Sequence, residues 1–151
     1  MIQENKRIED VISEKGVYVS AVSGYSMSPM LKDREDTVAV SAFDGDLKKY
    51  DVALYRVGDK YILHRVIRVL EDEYIICGDN CVVLERVPKS AVIGKLCEAW
   101  SGEERIDLDS RKYRSYCRRR VRGIYSRKVF RTIRGFAASV LGRSSKKQKG
   151  R

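Results

Sequence analysis

The sequence predicts a mainly β protein: an antiparallel β fold opened by a short N-terminal helix and closed by a basic C-terminal helical tail. Three observations carry this. Short β-branched runs recur at even spacing from residue 17 to residue 100, separated by turn residues and by no long helix. Beyond them the apolar period changes to three- and four-residue steps. The charge changes with it: residues 1–110 hold 15 Lys/Arg against 21 Asp/Glu, whereas residues 111–151 hold 16 Lys/Arg and no acid. The net charge of +10 on this 151-residue chain therefore joins a mildly acidic domain, 1–108, to a strongly basic tail, 109–151.

Ile8, Val11 and Ile12 take helical spacing among charges, and Gly16 offers a C-cap, so a short helix comes first. Strands are expected in VYVSAVS from Val17, TVAVSAF from Thr37, DVALYRV from Asp51 and YILHRVIRVL from Tyr61. Three more follow in YIICG from Tyr74, CVVLERV from Cys81 and AVIGKLCEAW from Ala91. Turn residues at Gly24–Pro29, Asp44–Asp46, Glu71–Glu73, Gly78–Asn80 and Pro88–Ser90 separate them, and Val57–Lys60 reads as a tight hairpin. In the tail, Val121, Ile124, Tyr125, Val129, Ile133, Phe136, Val140 and Leu141 form an apolar stripe. Arginines and lysines fill the remaining face, and Ser144–Arg151 is expected to be disordered.

No run approaches the ~20 apolar residues that cross a bilayer, and the charged opening MIQENKRIEDVISEKG is not a secretory signal. A cytoplasmic protein is expected, with any membrane contact peripheral and at the inner face. Cys77, Cys81, Cys97 and Cys117 fall at no metal-ligand spacing, and a single histidine cannot complete a zinc site. Reduced thiols, no metal and no cofactor are expected.

Serine hydrolysis needs a hydroxyl held in the open, a base to take its proton, and donors for the oxyanion. The loop VSGYSMSPML can present Ser26, with Gly24 allowing close backbone approach, Met27 anchoring the turn and Pro29 stiffening its exit. His64, the sole histidine, lies in the strand YILHRVIRVL and has a side chain suited to a base near neutral pH. Asp79 and Glu85 follow as carboxylates that could orient the imidazole. Each feature alone has a plainer reading: a turn at Ser26, a strand histidine bonded to backbone, a hairpin turn at Gly78-Asp79-Asn80.

Together the three segments resemble a family. The Ser-Met-x-Pro box (Ser26, Met27, Pro29), the His-Arg-Val strand (His64, Arg65, Val66) and the Gly-Asp-Asn box (Gly78, Asp79, Asn80) are similar to those of type I signal peptidases. The matching version is the endoplasmic-reticulum, archaeal and sporulation type, in which histidine replaces the usual lysine base. Tyr50-Asp51-Val52 matches a Gly-Asp-Val step, with tyrosine in place of glycine. Order and spacing agree over residues 17–97.

The resemblance implies that Ser26 attacks the scissile carbonyl of a polypeptide while His64 takes its proton, with a small residue before the cut. Either Asp79 or Glu85 would be the supporting acid. Signal peptidases often carry a serine two residues before the nucleophile, and here that position is Gly24. The string Val22–Met27 is in this respect closer to LexA-type repressors, so the amides of Ser26 and Gly24 are expected to hold the oxyanion. A self-cleaving repressor is disfavoured, because about sixteen residues before the first strand are too few for a helix-turn-helix domain. Neither an Ala-Gly nor a Cys-Gly bond lies upstream of Ser26.

Three roles compete for the tail over 111–143: a solvated helix packed on the β domain, an amphipathic helix lying on anionic lipid, and, third, nucleic acid binding. Gly123 and Gly135 weaken a free helix, so the tail is expected to order on a partner surface. The rival to a peptidase is a catalytically idle β module whose basic tail docks on membrane or nucleic acid.

Overall fold

The computed structural model describes residues 6–130 and 132–134. Helix α1 (Ile8–Lys15) ends on Gly16, as its spacing predicted. Eight strands follow: β1 (Val17–Ala21), β2 (Asp36–Ser41), β3 (Val52–Val57), β4 (Lys60–Val69), β5 (Glu73–Cys77), β6 (Glu85–Pro88), β7 (Val92–Ser101) and β8 (Glu104–Arg105). Helix α2 (Arg111–Arg122) comes next, and residues 124–130 and 132–134 are again helical. The expected disorder of Ser144–Arg151, and the stripe positions Phe136, Val140 and Leu141, lie outside the described residues.

All pairings are antiparallel, in the order β1-β2-β7-β3-β4-β5-β6, with β8 folding back on the end of β7. The mainly β, antiparallel class expected from the sequence is what the chain adopts. The Gly58-Asp59 turn sets Val57 opposite Lys60, which fixes the β3–β4 register and places Ala53 opposite His64 and Val52 opposite Arg65. Because side chains alternate along a strand, consecutive His64 and Arg65 point to opposite faces. His64 joins the side of Tyr55, Ala53 and Val66, and Arg65 the side of Val52 and Leu63. Both faces are covered, so β4 buries three residues in a row, His64, Arg65 and Val66.

One strand is shorter than its sequence suggested. CVVLERV was expected to run from Cys81, but β6 begins at Glu85. The β5–β6 ladder ends at Ile76 opposite Glu85, and residues 78–84 leave the sheet as a loop, with Val83 exposed. Within that loop the Asn80 N–H is committed to the Ser26 loop.

The start of the tail takes the first of its three expected roles, a helix packed on the β domain, and does not wait for a partner surface to order. Its first helix orders on the β domain itself. Tyr113, Tyr116 and Cys117, at helical i, i+3 and i+4 spacing, turn inward together, and Cys117 is fully buried. Ser110 caps α2 by accepting from the Tyr113 N–H at 3.1 Å. Gly123 ends α2, and Ile124 beyond it is buried against the domain. Among the described residues no helix is long and apolar enough to cross a membrane.

Candidate active site

The Ser26 loop is a cross-linked turn between β1 and β2. Val22 N–H donates to the Asp36 carbonyl, Arg34 N–H donates to the Val22 carbonyl, and Lys32 N–H donates to Asp36 Oδ2, which closes its base. Met27 and Leu31 are buried in the cluster that holds Val22, Val38 and Leu96, so the expected Met27 anchor is present. With Met27 anchored beside it, Ser26 is left half-buried at the lip of an apolar cleft of about 370 Å³. Ala21, Val22, Gly24, Met27 and Leu63 contribute to its walls.

The Gly78–Asn80 segment is stapled to that loop. Asn80 donates its N–H to the Ser26 carbonyl at 2.8 Å and its Nδ2 to the Tyr25 carbonyl at 3.2 Å. The approach is too close for any side chain at residue 78. A Cβ there would stand 2.7 Å from the Ser26 carbonyl oxygen, 2.9 Å from Cys81 Sγ and 3.0 Å from His64 Nε2. The same figures bring the Ser26 carbonyl and His64 Nε2 together against one side of the Gly78 α-carbon. The Ser26 hydroxyl itself makes no hydrogen bond among the described residues. In Gly78→Ala the added methyl must displace the imidazole or the 78–80 segment, since the Ser26 carbonyl is held by Asn80.

His64 is buried and its Nδ1 lies 3.0 Å from Glu85 Oε1 and 3.1 Å from the Tyr55 hydroxyl. The Tyr55 hydroxyl donates to Glu85 Oε2 at 2.9 Å. Burial, then that carboxylate, pushes the Tyr55 phenol well up, so it keeps its proton and has only lone pairs to offer Nδ1. The ring proton therefore sits on Nδ1, and Nε2 presents a lone pair towards Gly78 and the Ser26 loop. Burial lowers the His64 pKa below its ordinary 6.5, against the opposing pull of Glu85 and, less, of Asp79. The imidazole is neutral at neutral pH, the form a base needs.

Asp79 does not touch the histidine. It is clamped by Arg65, Nε to Oδ1 and Nη2 to Oδ2, both at 2.7 Å, and it accepts from the Tyr116 hydroxyl at 2.9 Å. Both charged groups are almost fully buried. Arg65 also donates from Nη1 to the Tyr50 carbonyl, the Tyr113 hydroxyl and Cys117 Sγ, at 2.9, 3.0 and 3.1 Å. Burial works against the guanidinium charge, but the Asp79 pair outweighs it and raises the Arg65 pKa. Of the two acids left open by the sequence, Glu85 meets the imidazole and Asp79 belongs to a structural ion pair beneath α2.

A second expectation fails at Gly24. Its N–H donates to Asp33 Oδ1 at 2.7 Å, so it is not free to hold an oxyanion. Its φ of 95° turns the amide inward to that carboxylate. The Ser26 N–H makes no hydrogen bond among the described residues. Tyr50, standing where the resemblance puts glycine, adopts φ 82°, a conformation uncommon for a side-chain-bearing residue. That strained backbone aims the Tyr50 carbonyl at Arg65.

Tyr55 was not singled out by the sequence, and nothing in it tied Tyr113, Tyr116 or Cys117 to Arg65 and Asp79. The chain matches no protein-family model and no curated protein.

Proposed function

We propose that this chain is a serine endopeptidase. What carries the reading is one arrangement: His64 tied through Nδ1 to Glu85, with Nε2 facing the Ser26 loop across Gly78. Ser26 Oγ attacks the scissile carbonyl carbon while Nε2 takes its proton, and Glu85 stabilises the imidazolium that forms. The Ser26 N–H is the donor for the oxyanion. The imidazolium returns its proton to the leaving amine, and water then cleaves the acyl-enzyme by the same route. The unbonded Ser26 hydroxyl fits a substrate-free site, where catalytic hydrogen bonds tighten only on binding.

The substrate is an extended polypeptide. The apolar cleft beside Ser26 offers room for side chains, and β1 is an edge strand able to pair with a peptide backbone. The motif resemblance adds a small residue before the cut. We further propose that the enzyme works in the cytoplasm at the inner face of a membrane, held there by its C-terminal helices. Tyr125, Val129 and Ile133, 70%, 59% and 60% exposed, line one face of the last helix among basic residues, on the side away from buried Ile124. Aliphatic side chains there suit an anionic bilayer better than nucleic acid, which has no use for them.

The test is cleavage of a peptide library by the full-length protein and by Ser26→Ala, each with and without anionic vesicles. Cleavage that disappears in the variant, and rises with vesicles for the wild type, is the expected result. Cleavage retained by Ser26→Ala would sink the peptidase reading. Vesicle or DNA binding with no serine-dependent cleavage would favour the idle module.

A further inference from the structure

On the face of the C-terminal helices turned towards the Ser26 loop, three arginines converge without a counter-ion. Arg119 and Arg120 at the end of α2, and Arg127 in the next helix, surround a concavity of about 330 Å³ together with Tyr116 and Pro29. None of the three pairs with a carboxylate among the described residues. Asp79, whose field reaches Arg127, is already held by Arg65 and Tyr116.

The guanidinium groups are positioned rather than loose. Arg127 lies across Gly123, donating from Nη2 to the Arg120 carbonyl at 3.0 Å, and a Cβ on Gly123 would stand 2.8 Å from its Nη1. Its Nε is buried with no hydrogen-bond partner among the described residues. Arg120 is stacked 5.5 Å over the Tyr116 ring, and Tyr116 is fixed in turn by Asp79. Burial and, after it, repulsion from Arg120 lower the Arg127 pKa. A bound oxyanion would relieve that repulsion.

We propose that this pocket recognises a carboxylate of the polypeptide substrate, an Asp or Glu within about four residues of the scissile bond. The proposal rests on the peptidase reading. Pro29 is three residues from Ser26, so their α-carbons are at most about 11 Å apart, the span of about three extended residues. The forked donors of arginine match a carboxylate in two-point contact. A lipid phosphate is the weaker fit. At ~100° per residue, Arg127 points about 160° away from Val129 and hence away from the apolar stripe.

Two assays on the full-length chain test this, using peptides that carry Glu or Gln at successive positions around the cut. Calorimetric binding to Ser26→Ala protein should favour one Glu peptide about tenfold over its Gln partner. The wild-type kcat/KM ratio should show the same preference. In the double variant Arg120→Gln/Arg127→Gln both ratios should fall to about one; they compare two substrates on one protein, so partial unfolding does not mimic the loss. Glu-selective binding to Ser26→Ala that the arginine variant loses, with no cleavage of any peptide, would refute the peptidase and uphold the carboxylate pocket. Ratios near one in the wild type at every position overturn the proposal. So does a double variant that keeps its Glu preference, or one that loses anionic-vesicle binding while the wild-type ratios are near one, which would make the pocket a headgroup site.

Discussion

Glu85→Gln should lower kcat/KM by roughly three to four orders of magnitude while leaving the melting temperature nearly unchanged. Glu85 is the carboxylate in contact with the imidazole, and its side chain is about a third exposed, so its removal costs little folding energy. The glutamine amide can donate to Nδ1, which would shift the ring proton to Nε2 and leave no lone pair for Ser26. It also cannot stabilise the imidazolium. The pH profile should move in a defined direction. Burial holds the His64 pKa below 6.5 and Glu85 pulls it up against that, so the wild-type acid limb should fall below 6.5. Without the carboxylate charge the limb should move to lower pH still, beneath a much reduced plateau. A limb that moves upward, or a rate within tenfold of wild type, would remove Glu85 from the mechanism.

This division of labour between Glu85 and Asp79 could not be read from the chain, and the reason is geometric. The strands were legible because alternation and turn residues are local signals, and they located His64 and the Ser26 loop. Tyr55 was within reach too. A two-residue turn at Gly58-Asp59 sets Tyr55 opposite Ile62, on the face of His64 and two residues from it. What hid the acid was the bulge between Val66 and Arg68 and the loop over 78–84. Both are set by long-range packing, and together they turn Asp79 to Arg65 and bring Glu85 back to His64. Likewise the apolar stripe at Val121 and beyond drew attention from the inward face of α2. That face is built from two tyrosines and a cysteine, whose polar atoms pass for surface until a buried arginine is known to need them.

Asp79→Asn should act in the opposite sense to Glu85→Gln, on stability before rate. The Arg65 guanidinium is fully buried, and among the described residues Asp79 supplies its only carboxylate. Asparagine keeps one acceptor and loses the charge, leaving a cation stranded beneath α2. Breaking a buried pair from one side costs about 3–5 kcal/mol. For a chain of this size that corresponds to a melting temperature lower by about 10 °C or more in a calorimetric scan. Below the transition the variant should retain most of its cleavage rate, because Asp79 has no contact with His64. A replacement of both partners, Arg65→Met with Asp79→Leu, separates the causes. Removing the stranded charge should recover part of the lost stability, although Tyr113 and Tyr116 then lack their partners. Were the double variant less stable than Asp79→Asn alone, the hydrogen bonds that α2 makes to the pair, rather than the compensation of buried charge, would hold the helix on the domain. A catalytic loss matching that of Glu85→Gln in still-folded Asp79→Asn would instead return Asp79 to the imidazole.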